Sequence, residues 1–137
     1  MVEETLSSLP GYALRRAANA MTAELASRLA KHDVRIVDAT VLLLIATKPG
    51  ATASSIGRTL DIQRANMVPL LKRLEDAGMI GREPIDGKSQ GLVLTEEGKA
   101  RFPAIRRTLE AFEQDLLARV PAEHREHLLP ALNALWK

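Results

Sequence analysis

Residues 52–95 constrain this chain more than any other part of it. The stretch TASSIGRTLDIQRANMVPLLKRLEDAGMIGREPIDGKSQGLVLT holds two short amphipathic helical patterns, then two extended runs around Asp86-Gly87. Thr52 is suited to cap the first pattern, because its hydroxyl can accept a hydrogen bond from a first-turn N–H, and Ile56 and Leu60 fall four apart on one face. Asp61 ends that pattern. Aspartate tolerates a left-handed backbone, so it suits a sharp corner between two crossed helices, with Ile62 plugging the corner. In the second pattern Met67, Leu70, Leu71 and Leu74 share one stripe, while Gln63, Arg64, Asn66 and Lys72 lie off it as a candidate reading surface. Gly57, Asp61, Met67 and Leu70 have the spacing of a helix-turn-helix: a small residue where helices touch, a corner, then two apolar anchors. Ala77-Gly78 stops the second helix. Met79-Ile80-Gly81-Arg82-Glu83 and Gly91-Leu92-Val93-Leu94 read as paired strands, with Asp86-Gly87 as the hairpin signal.

The rest of the chain predicts helices on both sides of this unit. Met1 to Ser8 reads as a loose lead-in. Pro10-Gly11 precedes a helix whose apolar residues Tyr12, Leu14, Ala17, Ala18, Met21, Leu25 and Leu29 recur at three and four, ending near His32-Asp33. Val37 to Thr47 is apolar nearly all round and so is expected at the centre. Thr95 caps a long helix, with Glu96 and Glu97 at the positive end of its dipole and Pro103 bending its early part. Phe102, Ile105, Leu109, Phe112, Leu116 and Val120 follow a spacing close to a coiled-coil seam. Pro121 starts a last helix carrying Leu128, Leu129, Leu132, Leu135 and Trp136. A chain of 137 residues seldom buries such a seam by itself, and closed two-fold dimers are the commonest oligomers, so the terminal helices are read as an intersubunit bundle. The expected fold is mainly α with a small β-hairpin wing: a winged helix-turn-helix plus terminal dimerisation helices. The expected divisions are 1–35 for an N-terminal dimerisation helix, 36–98 for the winged helix-turn-helix and 99–137 for C-terminal dimerisation helices.

Composition excludes several functions. The net charge is only +2, and 52–95 holds six Lys or Arg against five Asp or Glu, so nucleic-acid binding must rest on where charges sit rather than on their sum. There is no cysteine, which removes thiol redox sensing and cysteine-ligated zinc. No stretch reaches the roughly 18 apolar residues of a membrane span and no signal-peptide pattern opens the chain, so a cytoplasmic protein without membrane contact is expected. No nucleophile elbow, phosphate-binding glycine loop or carboxylate pair points to an enzyme. His124 and His127 are too few for a closed metal site, and neither metal nor cofactor is expected. The alternative to a DNA reader is a winged-helix protein-interaction module, which a near-neutral surface permits.

The helix order, the run Leu70-Leu71-Lys72-Arg73-Leu74-Glu75-Asp76-Ala77-Gly78-Met79-Ile80, and Asp86-Gly87-Lys88 followed by Leu94-Thr95-Glu96-Glu97-Gly98 resemble the MarR family of bacterial transcriptional regulators. The resemblance covers nearly the whole chain. In the wing, Asp86 and Leu94-Thr95 match the family pattern, whereas Lys88 replaces its arginine, keeping the charge and losing the planar fork. Val34-Arg35 stands where many members have Leu-Thr or Leu-Ser. The Met67–Leu74 run resembles the hydroperoxide-sensing branch, whose cysteine this chain lacks.

The resemblance implies a homodimer that places its second helix-turn-helix helices in the major groove of a pseudo-palindromic DNA operator and its wings in the flanking minor grooves, usually as a repressor. It makes Ser54, Ser55, Gln63, Arg64, Asn66, Val68, Lys72, Arg82, Lys88 and Ser89 the candidate DNA contacts. Gln63, Arg64 and Asn66 suit base edges, Val68 a thymine methyl, and Ser54 and Ser55 a phosphate held by backbone N–H groups. It also implies a small aromatic or anionic effector, for which Tyr12, Arg15, Arg16, Met21, His32, Arg35, Asp38 and Arg106 are the candidates, an arginine being suited to a carboxylate or phosphate.

Overall fold

The computed structural model describes residues 2–137. Seven α-helices and one hairpin follow in order: α1 Val2–Ser7, α2 Pro10–Ala30, α3 Ile36–Thr47, α4 Ala53–Leu60, α5 Arg64–Asp76, β1 Ile80–Pro84, β2 Gln90–Leu94, α6 Glu96–Arg119 and, after a short 3-10 turn, α7 Arg125–Asn133. The expected class, helical with a two-stranded wing, is the observed one.

The caps lie where the side chains demand. Thr52 Oγ1 accepts the Ser55 N–H at 3.0 Å and Thr95 Oγ1 accepts that of Gly98 at 3.0 Å. Asp61 takes the left-handed conformation, φ 53° and ψ 49°, and Gly57 shows why the corner needs a small residue. A Cβ there would stand 2.9 Å from the Ile62 carbonyl oxygen and 3.4 Å from Met67 Cγ, so α4 packs directly on the turn backbone and on the Met67 side chain of α5. At the end of α5, Gly78 has φ +76° and the Met79 N–H reaches back to the Leu74 carbonyl at 3.0 Å, the closure that a left-handed glycine allows.

One core joins these elements. Leu29 of α2, Val41, Leu42 and Ile45 of α3, Ile56 of α4, Met67, Leu70, Leu71 and Leu74 of α5, Leu92 of β2, and Phe102 and Ile105 of α6 are all buried in it. The wing pairs antiparallel from Ile80 opposite Leu94 to Pro84 opposite Gln90. It is sewn to the body because the Leu92 N–H donates to the Ala51 carbonyl at 2.8 Å.

Three expectations change. The lead-in is helical over Val2–Ser7, with hydroxyls of Ser7 and Ser8 bonded to the carbonyls of Glu4 and Thr5; Met1 lies outside the described residues. The α6 seam is largely satisfied within the chain, since Phe102, Ile105 and Phe112 are buried against it. Its far end, Leu116 and Val120, instead joins an apolar groove described below. The last helix starts later, at Arg125, and stops at Asn133, leaving Leu135 and Trp136 beyond it. The hairpin expected around Asp86-Gly87 forms. Gly87 keeps a negative φ, the Ile85 N–H closes onto the Ser89 carbonyl at 3.0 Å, and the Asp86 carboxylate organises the tip.

The start of α3 explains Arg35. The Asp38 carboxylate accepts the Arg35 N–H at 2.9 Å and so supplies the cap that the cation cannot. Its other oxygen accepts from the Arg73 guanidinium on α5. Asp38 is 3% exposed, the one charged residue buried among the described residues.

Candidate nucleic-acid interface

Because α5 buries Met67, Leu70, Leu71 and Leu74, its remaining face is turned outward: Gln63, Arg64, Asn66, Val68 and Lys72 are all exposed. Ser54, Gln63, Arg64, Val68 and Arg82 line one recess between α4, α5 and β1. Ser54 and Arg82 continue into a second recess with Lys88 and Ser89 of the wing. The fold therefore gathers seven of the ten candidates onto one continuous surface. Asn66 and Lys72 lie on the exposed part of α5 outside both recesses.

Ser55 does not fit the part expected of it. Its N–H is held by Thr52 Oγ1, while its hydroxyl accepts the Thr52 N–H at 2.8 Å and donates to the Thr52 carbonyl. Its polar groups are consumed by the cap, and a phosphate at this helix start is left with Ser54. Arg58, which sequence reasoning passed over, lines the recess beside Arg64 and is exposed. It stands four residues after Ser54, and that helical spacing could have revealed it.

Carboxylates already attend two of the cations. Arg82 is 2.8 Å from Glu75 and Lys72 is 3.0 Å from Asp76. Both pairs are exposed, where such pairing contributes little and yields to a competing anion. At the wing tip, Asp86 Oδ1 accepts the N–H groups of Lys88 and Ser89, each at 2.8 Å. The Lys88 N–H first and the Ser89 N–H second hold this carboxyl below its ordinary range. A depressed carboxylate pKa contributes order that is complete above the unfolded value of about 3.9 and is lost as pH falls through the lower folded value. The turn is thus expected to be intact throughout the neutral range. Protection of the Lys88 and Ser89 amides, relative to their intrinsic exchange rates, should fall only below about pH 4, or at any pH in Asp86→Ala; protection insensitive to that substitution would refute the role given to Asp86.

The effector candidates do not converge within one chain. Tyr12 Oη accepts from Arg16 at 3.1 Å, Arg106 is paired with Glu110 at 2.9 Å, and Arg15 and Arg35 are exposed. His32 Nε2 lies 3.0 Å from Thr108 Oγ1 and lines a polar recess with Lys31 and Arg101. Asp38 is closed off by Arg35 and Arg73. Met21 instead lines an apolar groove with Leu14, Ala17, Val120, Leu128 and Leu132. Beside that groove, Arg28 bridges Glu24 and Asp115 at 3.2 and 2.8 Å, and Arg119 reaches Glu24 at 2.7 Å, bracing α2 against α6. The Arg119 bond is the main reason the Glu24 carboxyl titrates below its usual range.

Among the described residues no group of three or more metal-ligating side chains forms, and no helix is long and apolar enough to cross a membrane.

Comparison with known proteins agrees with this geometry. The model of the MarR family matches residues 36–88. The chain is 31% identical over 98 residues to the HTH-type transcriptional regulator TtmR of Methylorubrum extorquens, covering 70% of this chain and 50% of that protein. It is 24% identical over 127 residues to the HTH-type transcriptional repressor Rv2887 of Mycobacterium tuberculosis, covering 91% of each. The chain spans about half to 60% of the length of several curated relatives. Among solved structures, the transcriptional repressor CouR bound to a 23-mer DNA duplex superposes with a TM-score of 0.85, covering 96% of this chain and 95% of that one at 31% identity. CouR bound to p-coumaroyl-CoA gives 0.82 at 30% identity. A shared pattern over the helix-turn-helix and a likeness to CouR along nearly the full length of both chains together establish that this chain belongs to the MarR family.

Proposed function

We propose that this chain is a sequence-specific DNA-binding transcriptional repressor that acts as a homodimer on a pseudo-palindromic operator and responds to a small aromatic or anionic effector. The observation that carries the reading is the continuous exposed surface joining Ser54, Arg64, Val68 and Arg82 to Lys88 and Ser89. In it α5 is the element shaped for the major groove and the wing for the neighbouring minor groove. Arg64, in the first turn of α5, is placed to address guanine O6 and N7, and Gln63 to address adenine. Arg58, Arg82 and Lys88 supply phosphate contacts that set register. Two copies would present their α5 helices to half-sites about 34–36 Å apart. The DNA-bound CouR structure and the family membership support this reading.

The apolar groove of α2, α6 and α7 supports the dimer, and the effector reading follows from it. Candidates scattered within one chain can meet only across two, and CouR is known with p-coumaroyl-CoA bound. An effector would favour a dimer whose α5 helices no longer match the half-site spacing. Nothing in the site favours an enzyme.

The test is a mobility-shift assay on DNA upstream of the protein's own gene and its neighbours, repeated with aromatic acids and their thioesters. Binding should weaken steeply with salt, log affinity falling with a slope of about −0.9 per phosphate neutralised. Arg64→Ala should remove the specific shift, a loss on the order of 1–3 kcal/mol per base contact, while leaving the dimer intact. Salt-insensitive binding to a protein, with no preferred duplex, would instead identify a protein-interaction module.

A further inference from the structure

The middle of α5 carries a feature that the usual account of a reading helix does not use. Pro69 lies inside the helix, five residues after its first residue Arg64. Proline has no N–H, so the Ala65 carbonyl, one turn earlier, loses the donor it would otherwise have. Ala65 and Pro69 lie opposite the buried stripe of Met67, Leu70, Leu71 and Leu74, and both are exposed. Val68 beside them is 61% exposed. The outermost part of the helix is therefore a backbone acceptor that position 69 cannot bond, flanked by two exposed apolar groups, with no bulky side chain at Ala65 to hold a duplex away.

That pairing matches one base pair. In the major groove an A·T pair offers the adenine N6 amine, a donor, and on the opposite strand the thymine C5-methyl group; a G·C pair offers an amine with no methyl. Resting on the DNA-binding reading above, we propose that this chain selects an A·T pair in each half-site through its backbone. The Ala65 carbonyl accepts a hydrogen bond from adenine N6, and Val68 with the Pro69 ring packs on the thymine methyl. The acceptor and the apolar surface lie within one helical turn, about 5.4 Å, so a single pair can meet both. Pro69 is then a specificity-determining residue because of the hydrogen bond it withholds.

The preferred duplex is first selected from random sequence with the full-length chain. Each A·T pair in it is then changed in turn, adenine to purine to delete only the N6 amine, or thymine to uracil to delete only the methyl. Affinities follow from fluorescence anisotropy. One A·T pair per half-site is expected to lose roughly five- to thirtyfold on either change. With Pro69→Ala, whose restored N–H occupies the Ala65 carbonyl, the adenine-to-purine penalty at that pair should vanish while the uracil penalty is reduced but persists through Val68. With Val68→Ser the uracil penalty should shrink while the adenine-to-purine penalty persists in full. Alanine favours helix, so Pro69→Ala keeps the fold, which its circular dichroism verifies. An undiminished preference for adenine over purine in Pro69→Ala overturns the proposal, as does the absence of any pair sensitive to both changes. Selection that returns no preferred duplex overturns the DNA-binding reading as well, which separates the two failures.

Discussion

Asp38→Ala is expected to destabilise the chain by about 2–3 kcal/mol, the heaviest loss anticipated from removing one polar side chain here. Asp38 does two things at once: it caps α3 through the Arg35 N–H and it holds the guanidinium of Arg73 on α5. Breaking a fully buried ion pair costs about 3–5 kcal/mol, because a charge is left without partner or water. Arg73 is 39% exposed along its side chain and can rehydrate in part, which lowers the figure. Its Nε, however, is buried without a hydrogen-bond partner even in the intact pair, so the arginine has little reserve. Urea denaturation of Asp38→Ala, Arg73→Met and the double variant checks the account. The double variant should be less destabilised than the sum of the singles, since the penalty of an orphaned partner is then removed. Additive losses would mean that Asp38 acts only as a cap. Because the pair ties α3 to α5, the helix proposed to enter the major groove, the single variants should also bind DNA less tightly than their residual folded fraction predicts.

The second large effect concerns assembly. Leu132→Glu is expected to convert a dimer into a 15.0 kDa monomer and to weaken operator binding by about 10²–10⁴-fold, the advantage that joining two reading units confers. The groove is lined by Leu14, Met21, Val120, Leu128, Leu132 and Leu135, the last of them 68% exposed. An apolar face of this extent is rarely left to water by a lone soluble chain, and it marks an interaction surface. A carboxylate there must be desolvated when the two copies meet, at a cost the apolar contacts cannot recover. Sedimentation gives the mass and anisotropy the affinity. The core of each protomer lies elsewhere, so α-helical content should be unchanged. A variant that stays dimeric, or a monomer that still binds the whole operator at full strength, would show that the groove is not the clasp.

Where local chemistry decides structure, the residues were sufficient on their own. Thr52 and Thr95 act through their hydroxyls, Gly57 and Gly78 through their missing Cβ atoms, and Asp61 takes the left-handed corner expected of it. The buried stripe of α5 is equally local, because helical period alone puts Met67, Leu70, Leu71 and Leu74 on one side and the exposed candidate DNA contacts elsewhere on the helix. What the chain could not disclose as a string depends on distant segments meeting. Asp38 and Arg73 are 35 residues apart, so a carboxylate that looked available to a ligand proved to be an internal tie. Phe102, Ile105 and Phe112 looked like half of an intersubunit seam, and only packing against the rest of the chain showed them to be core. Arg58 became a candidate DNA contact only when α4 and β1 closed around the same recess. Periodicity tells which face of a helix seeks cover; which partner provides it is settled by the free energy of the whole fold, to which every segment contributes at once.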